Sequence, residues 1–204
     1  MLKHIILFTA LFGMSIILSS CFVDYGLNTE NYDLVITSHD STYNFGAVTK
    51  FAVIDSVVHF GEDGVTHAYD SQIINKVIAK CEALGWERVY DSTANVTIMM
   101  GTTSSTTVVY GSSSWWDYYS WYPGWSYYPS YGSGYSWYYP YDYAYTYTTG
   151  SLVISMCDLR KGANNKLPVQ WIAVLNGLMN STDVSNRINS GIDQAFTQSP
   201  YLNQ

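Results

Sequence analysis

The sequence predicts an α+β domain: an antiparallel β-sheet with two helices packed on one face, plus an aromatic-rich hairpin extension. Three observations carry that expectation. Runs rich in β-branched and aromatic residues outnumber stretches of helical periodicity, most neighbouring runs lie close enough to be joined by short turns, and only two segments place apolar residues at spacings of three and four. Removing an expected leader of 20 residues from the 204 leaves 204 − 20 = 184, enough for one domain with a real core.

The leader comes first. Lys3 and His4 give a short basic start, and Ile5 to Leu18 is an apolar run of signal-peptide length, too short to span a bilayer as a mature helix. It ends in Leu18-Ser19-Ser20-Cys21, an apolar residue and two small ones ahead of a cysteine. This resembles the bacterial lipobox, whose cysteine is diacylated on sulfur before cleavage. Residues 1–20 are therefore expected to be a lipoprotein signal peptide, residues 21–32 a lipidated tether and residues 33–204 one α+β domain. Two acyl chains hold a protein on a membrane where one binds only marginally.

Charge agrees with anchoring by lipid. The chain has 9 basic and 16 acidic residues and a formal charge of −7; losing residues 1–20 removes Lys3 and no acid, leaving 8 against 16, or −8. Such a body is not attracted to nucleic acid or anionic lipid. Export also implies an oxidising compartment, and Cys81 and Cys157 remain after lipidation of Cys21. Both lie in stretches with core-facing patterns, so two buried free thiols are expected rather than a disulfide.

Two strands are expected at Asp33 to Ser38 and Lys50 to Ile54, separated by a turn-rich segment that includes His39-Asp40-Ser41, with a short extended piece at Val57 to Phe60. From Asp70 the period changes. Ile73, Ile74, Val77, Ile78, Cys81 and Leu84 fall at helical spacing, with Asp70 as N-cap and Gly85 as the stop. At about 1.5–3 kcal/mol per fully buried large aliphatic side chain, a charge at Ile74 or Ile78 is expected to unfold the domain. Strands follow at 86–90 and 95–100, the latter continuing weakly through 106–110. Ser151 to Asp158 and Val169 to Met179 are strands joined by a Gly/Asn-rich turn, hence a hairpin. Asp183 caps a last helix with Val184, Ile188, Ile192, Ala195 and Phe196 on one stripe, ended by Pro200. Gly191 in its middle costs about 1 kcal/mol relative to alanine, so that helix depends on packing.

Taken in order, the lipobox Cys21, an early strand with "KFAVID", the helix ending "EALGWERV", then "ANVTIMM", "GSLVISMCD", "VQWIAVLNG" and a last helix closing at "SPY" resemble a family of bacterial envelope lipoproteins, domain of unknown function 4136. The likeness spans nearly the whole mature chain. Members commonly hold an aromatic or glycine-rich stretch before the "GSLVISMCD"-like strand, and they usually carry an acid where Ser155 stands and a glycine where Ile172 stands. The resemblance implies a lipid-anchored envelope location and the fold class, and no activity.

Trp115 to Tyr147 holds five Trp and thirteen Tyr, 18 rings in 33 residues, with Asp117 and Asp142 as its charges. No Lys or Arg lies between Arg88 and Arg160, so the basic groove that single-strand nucleic-acid binders add to stacking rings is missing, and nucleic acid is excluded as a partner. Tyr139, Tyr141, Tyr143, Tyr145 and Tyr147 alternate strictly and would share one face of a strand. The middle, 122–139, is punctuated by Pro123, Gly124, Pro129, Gly132 and Gly134 and reads as turn and loop. A hairpin extension of about residues 111–149 follows, kept soluble by phenolic hydroxyls. Its candidate surface is Trp115, Trp116, Trp121, Trp125, Trp137, Tyr141, Tyr143, Tyr145 and Tyr147. Three roles fit: a variable insertion whose rings cover each other, an interaction surface for an envelope protein or membrane headgroups, or a glycan-binding surface for peptidoglycan or polysaccharide.

No nucleophile, metal or phosphate motif is recognisable, so no cofactor, no metal ligands and no catalytic residues are expected. His59, in an apolar "VVHF", reads as a partly buried structural histidine, and Asp158 as an acid capping the turn after its strand. Asn95-Val96-Thr97 and Asn180-Ser181-Thr182 match a glycosylation sequon that a bacterial chain does not use. The expected role is non-catalytic, at the outer membrane facing the periplasm.

Overall fold

In the computed structural model, residues 35–60, 67–103, 107–110, 136–138, 140, 144–147, 150–162, 164, 166–178 and 183–204 are described. The strands are β1 (Val35–His39), β2 (Lys50–Phe60), β3 (Glu87–Arg88), β4 (Val96–Thr103), β5 (Thr107–Tyr110), β6 (Ser136–Tyr138), β7 (Ala144–Tyr147), β8 (Ser151–Asp158) and β9 (Lys166–Leu175); the helices are α1 (Asp70–Ala83) and α2 (Val184–Thr197). The main sheet runs β1-β9-β8-β4-β2-β3, with β6 pairing to β9 beside that path.

The α+β class stands, and the sheet is mixed rather than antiparallel throughout. β1–β9, β8–β9 and β4–β8 are antiparallel, whereas β2 pairs parallel with both β4 and β3. The cause is α1. A helix between two strands returns the chain to the end where it started, so the next strand runs parallel to the first. From β3 the chain passes the start of β2 to reach β4. Asn95 pins that crossing: its Oδ1 accepts from the amides of Thr49 at 2.9 Å and Lys50 at 3.0 Å. β2 is one strand where two pieces were expected, with its register shifting between Val53 and Val57 so that exposed Asp55 sits in the irregular part.

The core forms where the two helical stripes meet one face of the sheet. Alternate residues of β4 (Val96, Ile98, Met100), β8 (Leu152, Ile154, Met156) and β9 (Trp171, Ala173, Leu175) join Ile73, Val77 and Cys81 of α1 and Ile188, Ile192 and Ala195 of α2. Both helices thus contribute to the same side, as expected. The intervening residues Thr97, Met99, Val153, Ser155, Cys157, Ile172 and Val174 are buried as well. These strands are therefore covered on both faces, which accounts for their nearly unbroken apolar runs. Cys81 and Cys157 are buried free thiols.

Tyr69, not Asp70, occupies the N-cap of α1, and Asp70 is its first helical residue; Asp183 occupies the N-cap of α2, as expected, but its side chain makes no cap bond there and accepts from Asn186 Nδ2 at 3.0 Å. Gly85 ends α1 at φ +84°, a conformation glycine adopts without penalty. Gly191 has a packing reason: a Cβ there would meet Leu175 Cδ2 at 2.8 Å, so the missing side chain lets α2 close onto β9.

The expected loop near Tyr138 is also revised. Ser136–Tyr138 forms β6, pairing parallel with Lys166–Pro168. β1 covers only Trp171–Leu175 of β9, and this breaker-free aromatic piece takes the edge left open beyond it. A separate antiparallel ladder joins β5 to β7, Thr107 opposite Tyr147 and Tyr110 opposite Ala144. Residues 111–135, 139, 141–143, 148 and 149 of the expected extension lie outside the described residues.

Candidate functional site

Two polar clusters stand out against this apolar frame. The first sits at the end of β8. Asp158 is fully buried and accepts from Tyr43 Oη at 2.7 Å, from Arg160 Nη2 at 2.9 Å and Nε at 3.1 Å, and from the Arg160 amide at 2.7 Å. Arg160 also donates to the Ala47 carbonyl at 3.1 Å. Burial pushes the Asp158 carboxyl up, but the hydrogen bonds from Arg160 and Tyr43 outweigh it and hold the group below its ordinary value. Burial, followed by the Asp158 hydrogen bond, raises the Tyr43 phenol. The carboxylate thus caps the turn at Leu159–Lys161 and ties the 40–47 connection to the sheet. That is the structural role its sequence position suggests.

The second cluster lies where the parallel strands end and α1 begins. His59, near the end of β2, has an imidazole only 8% exposed. Its Nε2 lies 2.9 Å from Asp70 Oδ1 and its Nδ1 2.7 Å from Thr102 Oγ1, the hydroxyl opposite it on β4. His67, just ahead of the helix and 71% exposed, places Nδ1 2.8 Å from Asp70 Oδ2. The two rings meet edge to face with centroids 4.3 Å apart. One ligand atom from each of His59, His67 and Asp70 falls within 4.8 Å of the others. Among the described residues this is the group able to hold a metal ion.

Sequence reasoning identified His59 as structural and missed its partners. The signal available was His59-x7-His67-x2-Asp70, whose last pair is i, i+3 at a helix entrance. Thr102 had no such signal, because it reaches His59 through a parallel pairing across 43 residues. Of the candidate residues named from sequence, Cys21, Trp115, Trp116, Trp121, Trp125, Tyr141 and Tyr143 lie outside the described residues. Trp137 stands in β6 opposite Leu167; Tyr145 and Tyr147 stand in β7 opposite Val109 and Thr107. They belong to different ladders. Tyr138, next to Trp137, is exposed. His39 stacks on Tyr201 with centroids 3.7 Å apart, and Asp40 turns the chain by accepting from the Thr42 amide at 2.9 Å. No described helix is long and apolar enough to cross a membrane.

Comparison with known proteins gives a family and a fold. The profile of the family described as Domain of unknown function (DUF4136) matches residues 35–201. A crystal structure of a DUF4136 family protein from Bacteroides thetaiotaomicron VPI-5482 is similar at TM-score 0.63 and 28% identity, over 84% of this chain and 98% of that one. PelC from Paraburkholderia phytofirmans aligns at TM-score 0.44 and 13% identity, over 85% of this chain and 100% of that one. A PDZ domain protein from Parabacteroides distasonis ATCC 8503 aligns at TM-score 0.40 and 12% identity, over 83% and 36% respectively. Comparison with curated proteins finds no match.

Proposed function

The chain belongs to the DUF4136 family, and we propose that it is a lipid-anchored protein of the bacterial envelope, held at the outer membrane and facing the periplasm. It acts by presenting a surface to a partner, without catalysis. The observation that carries this reading is the position of Cys21. A basic start, an apolar run and Leu18-Ser19-Ser20 all precede it, and the family match begins at residue 35, so 35 − 21 = 14 residue steps lead from anchor to domain. At roughly 3.3–3.6 Å per extended residue, such a tether keeps the domain within about 50 Å of the bilayer.

A non-catalytic role is supported by Asp158, the acid at the end of a buried strand where chemistry would be sought, whose oxygens are taken up by Arg160 and Tyr43. The presented surface is the aromatic run, Trp115 to Tyr147, in which Tyr and Trp give large, rigid contact area. Tryptophan emission of the detergent-solubilised protein tests it. Trp86 and Trp171 are buried in the core and should not respond, so a change reports on the five Trp of the run. Titration with liposomes, with envelope extract and with peptidoglycan or polysaccharide fragments should give a saturable blue shift with one of them. A response to sugar alone replaces the protein partner with a glycan. No response to any of them removes the interaction role.

A further inference from the structure

We propose that His59, His67 and Asp70, backed by Thr102, bind one divalent transition-metal ion of the zinc class. This stands apart from the lipid anchor and from the aromatic run.

Geometry comes first. Zinc bonds to imidazole nitrogen and carboxylate oxygen are about 2.0–2.2 Å, so ligand atoms around one tetrahedral ion sit roughly 3.3–3.5 Å apart. His59 Nε2 and His67 Nδ1 already lie 2.9 and 2.8 Å from the two oxygens of Asp70, and one ligand atom from each side chain lies within 4.8 Å of the others. Bringing the widest of these separations to that spacing takes a movement of up to about 1.5 Å, available to the exposed His67 ring, and turns two hydrogen bonds into a coordination sphere.

Orientation comes next. A ligating histidine needs a free lone pair on one nitrogen and a fixed partner for the other. Thr102 Oγ1, itself buried, stands 2.7 Å from His59 Nδ1 and supplies that partner. A hydroxyl both donates and accepts. It can therefore donate to Nδ1 while Nε2–H faces Asp70, or accept from Nδ1–H when Nε2 turns its lone pair to a metal. No side chain has to move for His59 to change tautomer.

Electrostatics assigns the decisive role to Asp70. The start of α1 carries about half a positive charge, which disfavours a cation. A full carboxylate charge at the first helical residue outweighs it. Donor chemistry then selects the ion: two imidazoles and one carboxylate suit zinc, copper, nickel or iron, whereas magnesium and calcium want oxygen alone. Three protein ligands leave a position for water.

The test uses tag-free full-length protein in detergent, treated with chelator and dialysed, then titrated with zinc chloride in competition with a chromophoric chelator. One equivalent should bind per chain. His67→Ala, an exposed substitution whose fold is checked by circular dichroism, and Asp70→Asn should each weaken binding at least tenfold, and Thr102→Val by about tenfold as an orienting partner. Cobalt(II) should give visible absorption bands that His67→Ala removes. Absence of stoichiometric zinc binding, unchanged affinity in His67→Ala, or equal affinity for magnesium would overturn the proposal.

Discussion

Asp158 shows how a single buried charge is kept. Its carboxylate is tied to Arg160 and Tyr43, and removing its charge leaves Arg160 without its main acceptor. Asp158→Asn is expected to cost about 1–3 kcal/mol, as for hydrogen bonds to charged groups, measured by urea denaturation at neutral pH. Because the folded carboxyl is held below its unfolded value, its stabilisation is full above the unfolded pKa near 3.9 and is lost as pH falls through the folded one. The stability gap between wild type and Asp158→Asn should therefore stay open down to about pH 4 and close below it. Burial lifts both remaining thiols, Cys81 and Cys157, so neither should react with a thiol reagent until the protein is denatured. Ser155 and Thr97 are opposite cases: their hydroxyls are buried with no hydrogen-bond partner among the described residues. Ser155→Ala should leave the melting temperature unchanged or raise it, since an unsatisfied buried hydroxyl costs about 1–3 kcal/mol. The capping role of Asp158 and the buried thiols were legible from apolar context. The work of Asn95 was not, because its partners, Thr49 and Lys50, lie far away in sequence and offer backbone amides.

At the scale of elements, the two helices were legible because their apolar stripes repeat along one face. Which members of a stripe matter most was less so. Ile73 and Val77 of α1 are fully buried, while Ile74 is only partly so. Ile73→Asp should abolish cooperative unfolding, and Ile74→Asp should destabilise less, as read by thermal melts of both. Gly191 carries a sharper expectation. Propensity alone predicts a gain of about 1 kcal/mol for alanine in a helix interior. Contact with Leu175 makes Gly191→Ala a loss of about 1–3 kcal/mol by overpacking, and a stabilised variant would refute that packing. Strand direction was the principal element-level misreading. Short gaps suggest antiparallel neighbours, but α1 itself is the crossover that makes β2, β3 and β4 parallel. That arrangement also creates the His59–Thr102 pair, so the residues around the candidate metal site were hidden by the same feature that reversed the strands.

For the whole molecule, fold and cellular address come from different parts of the chain. The domain matched to the DUF4136 family supplies the mixed sheet and its helices; the proposed location rests on the 21 residues that end at Cys21. An acidic body with formal charge −8 (8 basic against 16 acidic residues once residues 1–20 are removed) gains nothing from anionic lipid, so membrane attachment should survive high salt and fail with Cys21→Ser, as read by fractionation. Intact-mass and N-terminal peptide mass spectrometry of the protein isolated from its native membranes is the most direct measurement. The account predicts a chain beginning at Cys21 and carrying added acyl mass. A chain that retains Met1, or begins elsewhere without lipid, would contradict it.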